Sequence, residues 1–115
     1  MGETIVVEAV TGRLELKNRW LYVGDKVYFL TPQECDIARF FMQHPDKVQY
    51  PRDITDAVWG NNYNVANARV QIRNLRHKIE KDPGSRRIIH TCPHRTGGYI
   101  MFTDPKLEEA FFKQT

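Results

Sequence analysis

Three observations predict an α+β fold. Alternating apolar runs separated by turn residues fill the first thirty positions, capped segments of helical spacing run on to residue 81, and two extended runs flank a Pro/Gly-rich tip between 86 and 102. A chain of 115 residues that is 41% hydrophobic can bury one core, so residues 1–115 are read as a single domain. No stretch approaches the ~18 apolar residues of a membrane span, and MGETIVVEAV lacks the basic start and long apolar run of a secretory signal. A cytoplasmic protein is expected.

Residues 5–30 carry the strand signals. Ile5 to Val10, Leu14 to Leu16, Trp20 to Val23 and Lys26 to Leu30 are β-type segments, and the Gly24-Asp25 pair between the last two is a hairpin signal. A small antiparallel sheet is predicted.

Residues 31–81 carry three helices. In LTPQE, Thr31 can cap, Pro32 suits the first helical position, and Glu34 stands three residues after Thr31, the spacing of a capping box. The helix shows Ile37, Phe40 and Phe41 at i, i+3, i+4 and ends at His44-Pro45. A second, short helix starts at Pro51, presents Ile54, Ala57 and Val58 on one side, and stops at Trp59-Gly60. The loop GNNYN then leads to a third helix over about 65–81.

That third helix is the unusual one. ARVQIRNLRHKI, residues 68–79, contains no acid, whereas a solvated helix usually mixes both signs of charge. At 100° per residue Ala68, Ile72, Leu75 and Ile79 fall on one stripe. Asn67, Val70, Arg73, Asn74 and His77 point away from it, with Arg69, Gln71, Arg76 and Lys78 on the flanks. Between Val65 and Gly98 eight Lys and Arg face two acids, a net of +6 in a chain of net +3. Such concentration suits a polyanion, because each neutralised phosphate releases a counterion.

After the break at Asp82-Pro83-Gly84, Arg86 to Thr91 and Tyr99 to Phe102 read as strands joined by CPHRTGG, a hairpin over 86–102. A last helix, 104–115, starts at Asp104-Pro105 and shows Leu107, Ala110 and Phe111 at i, i+3, i+4. Helix, helix, loop, basic helix and basic hairpin, in that order, is the plan of a winged helix-turn-helix: one helix enters the DNA major groove and the hairpin wing reaches the neighbouring backbone or minor groove.

LTPQE at the first helix, AVWG at the end of the second, IRNLRHKIEKDP in the third, and RRIIHT with GGY in the wing together resemble the OmpR/PhoB-type effector domain of bacterial two-component response regulators, from about Val6 to Phe102. The resemblance implies transcription regulation, head-to-tail homodimers on direct-repeat double-stranded DNA, and RNA polymerase contact through the loop of Asn61, Asn62, Tyr63 and Asn64. Where family members often carry a His-Ile-Arg-Arg run, this chain has Gln71-Ile72-Arg73-Asn74, so a different base preference is expected. The family usually places a receiver domain ahead of this one, and these residues leave no room for it.

Roles follow from side-chain chemistry. Arg73 can grip a guanine edge and Asn74 an adenine edge with two bonds each, with Asn67 next and Val70 against a thymine methyl. Arg69, Gln71, Arg76, Lys78 and Arg87 suit phosphates, although Arg76 could instead pair with Glu80 at i,i+4. In the wing Thr91, His94 and Arg95 are the candidates. Trp59, Phe40, Phe41, Ile72 and Leu75 are assigned to the core.

Other classes fare worse. His90-x-Cys92-x-His94 alternates as metal ligands on a strand would, with Cys35 or His77 to complete a set, but Pro93 interrupts the strand and the spacing is not one structural zinc favours. Cys92 beside His94 and Arg95 could form a thiol switch, which would make a redox-responsive regulator. No disulfide is indicated between Cys35 and Cys92. A winged-helix module that binds proteins is the remaining alternative. No catalytic constellation and no cofactor motif has a frame in this sequence.

Overall fold

The computed structural model describes residues 4–60, 64–80, 87–92 and 97–113. Strands β1 (Thr4–Ala9), β2 (Gly12–Lys17), β3 (Trp20–Val23) and β4 (Lys26–Phe29) pair in sequence order as an antiparallel meander. The register aligns Ile5, Leu16, Leu21 and Tyr28 in one row and Val7, Leu14 and Val23 in the next. Period-2 alternation therefore puts all of them on one face, and that face covers the helices. At the predicted β3–β4 turn Gly24 takes φ 61°, a left-handed conformation that a Cβ would disfavour.

Helix α1 (Pro32–Gln43) starts at the predicted box. The Thr31 hydroxyl accepts from the Glu34 N–H at 3.2 Å, and the Glu34 carboxylate accepts from the Thr31 N–H at 2.9 Å. Helix α2 (Pro51–Ile54) departs from expectation, because it continues as a single π turn, Thr55–Trp59, closed by the Gly60 N–H donating to the Thr55 carbonyl at 2.7 Å. The wider turn rotates the chain, burying Thr55 and leaving Ala57 exposed rather than beside Ile54 on the inner side. The buried Thr55 hydroxyl is satisfied by donating to the Arg52 carbonyl at 2.9 Å. Phe40, Phe41, Ile72 and Leu75 are core as expected, while Trp59 is half-buried with its indole N–H donating to Asp36 at 3.1 Å.

The wing strands are shorter than predicted: β5 is His90–Thr91 and β6 is Tyr99–Ile100. Other partners claim the neighbouring backbone. The Ile88 and Ile89 N–H groups donate to the Glu80 carboxylate at 2.9 and 3.0 Å, and the Phe102 carbonyl accepts from the Val10 N–H at 3.0 Å. On its other side β6 is paired by Gln49, which exchanges two 2.8 Å bonds with Tyr99. The sequence did not reveal this third extended segment.

Helix α4 (Pro105–Phe112) lies within the predicted 104–115. Its contact face differs from Leu107, Ala110 and Phe111: Leu107 and Ala110 are exposed, and Glu108, Phe111 and Phe112 reach the wing base. Among the described residues no helix is long and apolar enough to cross a membrane.

Candidate nucleic-acid interface

Helix α3 (Val65–Ile79) begins where the Asn64 side chain accepts from the Ala66 N–H at 2.8 Å. Asn64, grouped above with the polymerase loop, is thus the N-cap; Asn61, Asn62 and Tyr63 lie outside the described residues. Ala68, Ile72, Leu75 and Ile79 are buried, fixing the rotation the spacing predicted. Asn67, Arg69, Val70, Arg73, Asn74 and His77 are exposed together, Val70 at 38%.

The flanking cations divide. The Lys78 Nζ donates to the Glu34 carboxylate at 2.6 Å and to the Phe29 carbonyl at 3.1 Å, which ties α3 to the start of α1 and the end of the sheet. Arg76 turns toward the wing: its Nη1 donates to the Thr91 hydroxyl at 2.8 Å, its Nε lies 3.6 Å from the Glu80 carboxylate, and its side chain is 17% exposed. The i,i+4 pair weighed for Arg76 is therefore present. Arg87 is open to solvent, with Nη1 at 3.4 Å from the same Glu80 oxygen. Gln71 is half-buried.

Glu80 is the residue that sequence reasoning undervalued. Its side chain is 5% exposed, yet it accepts from two backbone amides and neighbours two guanidinium groups. A buried carboxylate is stable only when so surrounded. The available signal was a lone acid directly after a basic helix.

A groove of about 390 Å³ runs between α3 and the wing, lined by Arg69, Arg73, Arg76, Arg87, His77, Tyr99 and Glu80. Arg69 crosses it: a Cβ added at Gly97 would sit 3.2 Å from the Arg69 Nη2, so the guanidinium lies against the wing backbone. Gly97 also has φ 74°, and a Cβ on Gly98 would come within 2.5 Å of the Val48 side chain. The two glycines seat the wing base; they are not simply its tip. Thr91 is exposed, and His94 and Arg95 lie outside the described residues.

Both thiols, Cys35 and Cys92, are buried. Burial pushes the Cys35 thiol up from its ordinary value, and its Sγ donates to the Asn18 carbonyl at 3.3 Å, while His94 and Arg95, the neighbours on which a Cys92 switch would depend, lie outside the described residues. Among the described residues no group of three His, Cys, Asp or Glu could hold a metal ion; His94, part of the alternating set, is outside them.

Residues 25–101 match the family model described as transcriptional regulatory protein, C terminal. The chain is similar to the transcriptional regulatory protein YkoG of Bacillus subtilis, at 36% identity over 93 residues, 77% of this chain and 39% of that protein. It thus spans about two fifths of the length of such relatives. Among solved structures it is similar to the C-terminal domain of the nisin resistance regulator NsrR, with 27% identity, a TM-score of 0.65, and coverage of 80% of this chain and 93% of that one. The DNA-binding domain of Escherichia coli CadC shares the fold at 20% identity, with a TM-score of 0.72 over 90% of this chain and 96% of that one. With the capped three-helix core and wing in place, the chain belongs to the transcriptional regulatory protein C-terminal family, the OmpR/PhoB-type winged-helix DNA-binding domains.

Proposed function

We propose that this chain acts in the bacterial cytoplasm as a sequence-specific reader of double-stranded DNA, with α3 in the major groove and the wing on the adjacent backbone or minor groove. The observation that carries the reading is the outward face of α3: Asn67, Val70, Arg73 and Asn74 are exposed side by side on a helix without a single acid. A helix about 10–12 Å across fills a major groove roughly 12 Å wide, so that face meets base edges. Arg69 and Arg87, exposed at the sides, meet phosphates, with Gln71 beside them. Arg76 and Lys78, engaged with Thr91, Glu80 and Glu34, hold the reading head together more than they bind DNA. Thr91, His94 and Arg95 are the wing's contacts.

Binding in head-to-tail pairs on direct repeats, and RNA polymerase contact through Asn61, Asn62, Tyr63 and Asn64, belong to the same proposal and rest on family membership. The role is binding, with no catalytic step.

Fluorescence anisotropy against a duplex at several salt concentrations tests it. Log affinity should fall against log salt with a slope of about −0.9 per phosphate contact, at least as steep as about −1.8 for Arg69 and Arg87 together. Arg73→Ala should relax base preference, and Lys78→Ala should leave the salt slope unchanged. A flat salt response would refute the DNA reading in favour of a protein-binding module.

A further inference from the structure

Helix α4 lies beyond residues 25–101, the span of the family match, and the function above gives it no task. It has eight residues and none is buried, so it holds its place through a few contacts and not through a core of its own. Those contacts fall on His90 and Phe102 at the wing base. The Glu108 carboxylate lies 3.2 Å from the Nε2 of His90, and the Phe112 ring lies 5.1 Å from the His90 ring, with Phe111 and Phe112 both packed on Phe102. A carboxylate only accepts, so the neutral imidazole carries its proton on Nε2 and donates it.

His90 is one half of a two-residue strand, and the other half is Thr91, whose hydroxyl accepts from Arg76 of α3. Successive strand residues point to opposite sides, so β5 is gripped by α4 through His90 and by α3 through Thr91. We propose that Glu108 and His90 are positioning residues for DNA binding: docking of α4 on β5 sets the angle between the wing and α3 through the Thr91–Arg76 hydrogen bond. The inference rests on the DNA-binding reading above for its consequence and on these contacts for its route. Loss of the Glu108 contact lets β5 shift, the Thr91 hydroxyl leaves Arg76, and the wing no longer meets the duplex in register with the helix.

The test is a double-mutant cycle in the full chain, read by duplex affinity, thermal stability and NMR. Glu108→Ala should weaken specific duplex binding about fivefold, at the low end of coupling between distinct sites. Glu108→Gln keeps an acceptor for Nε2 and should restore binding to within about twofold of the parent. In a Thr91→Val background, where the link to Arg76 is already cut, Glu108→Ala should change affinity less than about twofold, while in Thr91→Ser it should act in full. The resonances of the Arg76 Nε–H and the Thr91 amide should move in Glu108→Ala and stay put in Glu109→Ala, whose exposed pair with Lys113 faces elsewhere. Equal loss of affinity in both Thr91 backgrounds would overturn the route. So would a drop in melting temperature with affinity and both resonances unchanged. If the parent chain binds no duplex, the DNA reading fails, and the two resonances alone decide whether α4 reaches Arg76.

Discussion

Replacing Glu80 by Ala is the most severe single test of how the wing is held. Its carboxylate, 5% exposed, accepts from the Ile88 and Ile89 N–H groups at 2.9 and 3.0 Å and lies 3.6 and 3.4 Å from Arg76 and Arg87. The contact to Arg87 counts for little, since that guanidinium is exposed and exposed pairs contribute at most about 1 kcal/mol, whereas Arg76, 17% exposed, would be left largely buried beside the gap. The amides matter more. Hydrogen bonds to a charged acceptor are worth about 1.5–3 kcal/mol each, and buried donors left without a partner keep their full desolvation cost. Ile88 and Ile89 are both buried, so water reaches the orphaned amides poorly. Glu80→Ala should therefore cost about 3–5 kcal/mol. At roughly 2.1 cal/mol/K of unfolding entropy per residue, that lowers the melting temperature by about 12–20 °C. Glu80→Gln retains an oxygen for the amides but turns an NH2 toward two arginines, and should cost about half as much. Urea denaturation followed by circular dichroism measures both. A loss below ~1 kcal/mol for Glu80→Ala would mean that the carboxylate does not hold the chain between α3 and β5.

Two further outcomes follow from the wing base. Gly98→Ala puts a methyl 2.5 Å from the Val48 side chain and 3.2 Å from the Tyr50 ring, an overpacking that should cost about 1–3 kcal/mol in the same denaturation assay; an unchanged midpoint would show that Val48 swings aside freely. Burial holds His90 below its ordinary value, against the opposing pull of the Glu108 and Glu80 carboxylates, with Arg76 adding to the lowering. The unfolded chain then takes up this proton first, so the contribution of His90 is fully present above about pH 6.5 and is lost as pH falls through the folded value. Melting temperature should fall more between pH 7.5 and pH 6 in the parent than in His90→Gln; a steeper fall in the variant would reverse the sign of the argument.

Local rules carried the sequence reading far where local physics decides. The capping box of Thr31 and Glu34, the alternation from Ile5 to Tyr28, and the stripe of Ala68, Ile72, Leu75 and Ile79 each need only neighbours in the chain, and each was found in place. The π turn at Thr55–Trp59 was invisible because a single i→i+5 bond leaves no periodic pattern of side chains and the sequence carries no residue that demands it. Glu80 was misjudged for a different reason: its main partners are amides eight and nine residues on, beyond the Asp82-Pro83 pair in the sequence, where helical spacing no longer applies. The face of α4 was misplaced because hydrophobicity favoured Leu107 and Ala110, whereas the helix is turned by the bond from His90 to Glu108 and by aromatic contacts on Phe102. The fold was legible from patterns, and the seating of the wing was a matter of tertiary hydrogen bonds.

The division of the cations has a consequence for selectivity. Net charge counts Arg76 and Lys78 with Arg69, Arg73 and Arg87 as if all faced DNA, but two of the five are engaged by Glu80, Thr91, Glu34 and the Phe29 carbonyl. Phosphate contacts strengthen binding to every sequence alike, whereas base contacts strengthen binding to one. On the DNA-binding role proposed above, drawing two cations inward lowers the affinity common to all DNA and leaves the exposed Asn67, Arg73 and Asn74 to discriminate. The same bonds fix the wing against α3 before DNA arrives, so the ordering cost of association is met in the free protein. On that proposal the domain would gain specificity by holding back part of its charge, and Arg76, whose guanidinium donates to the Thr91 hydroxyl, would contribute by positioning the wing and not by gripping a phosphate.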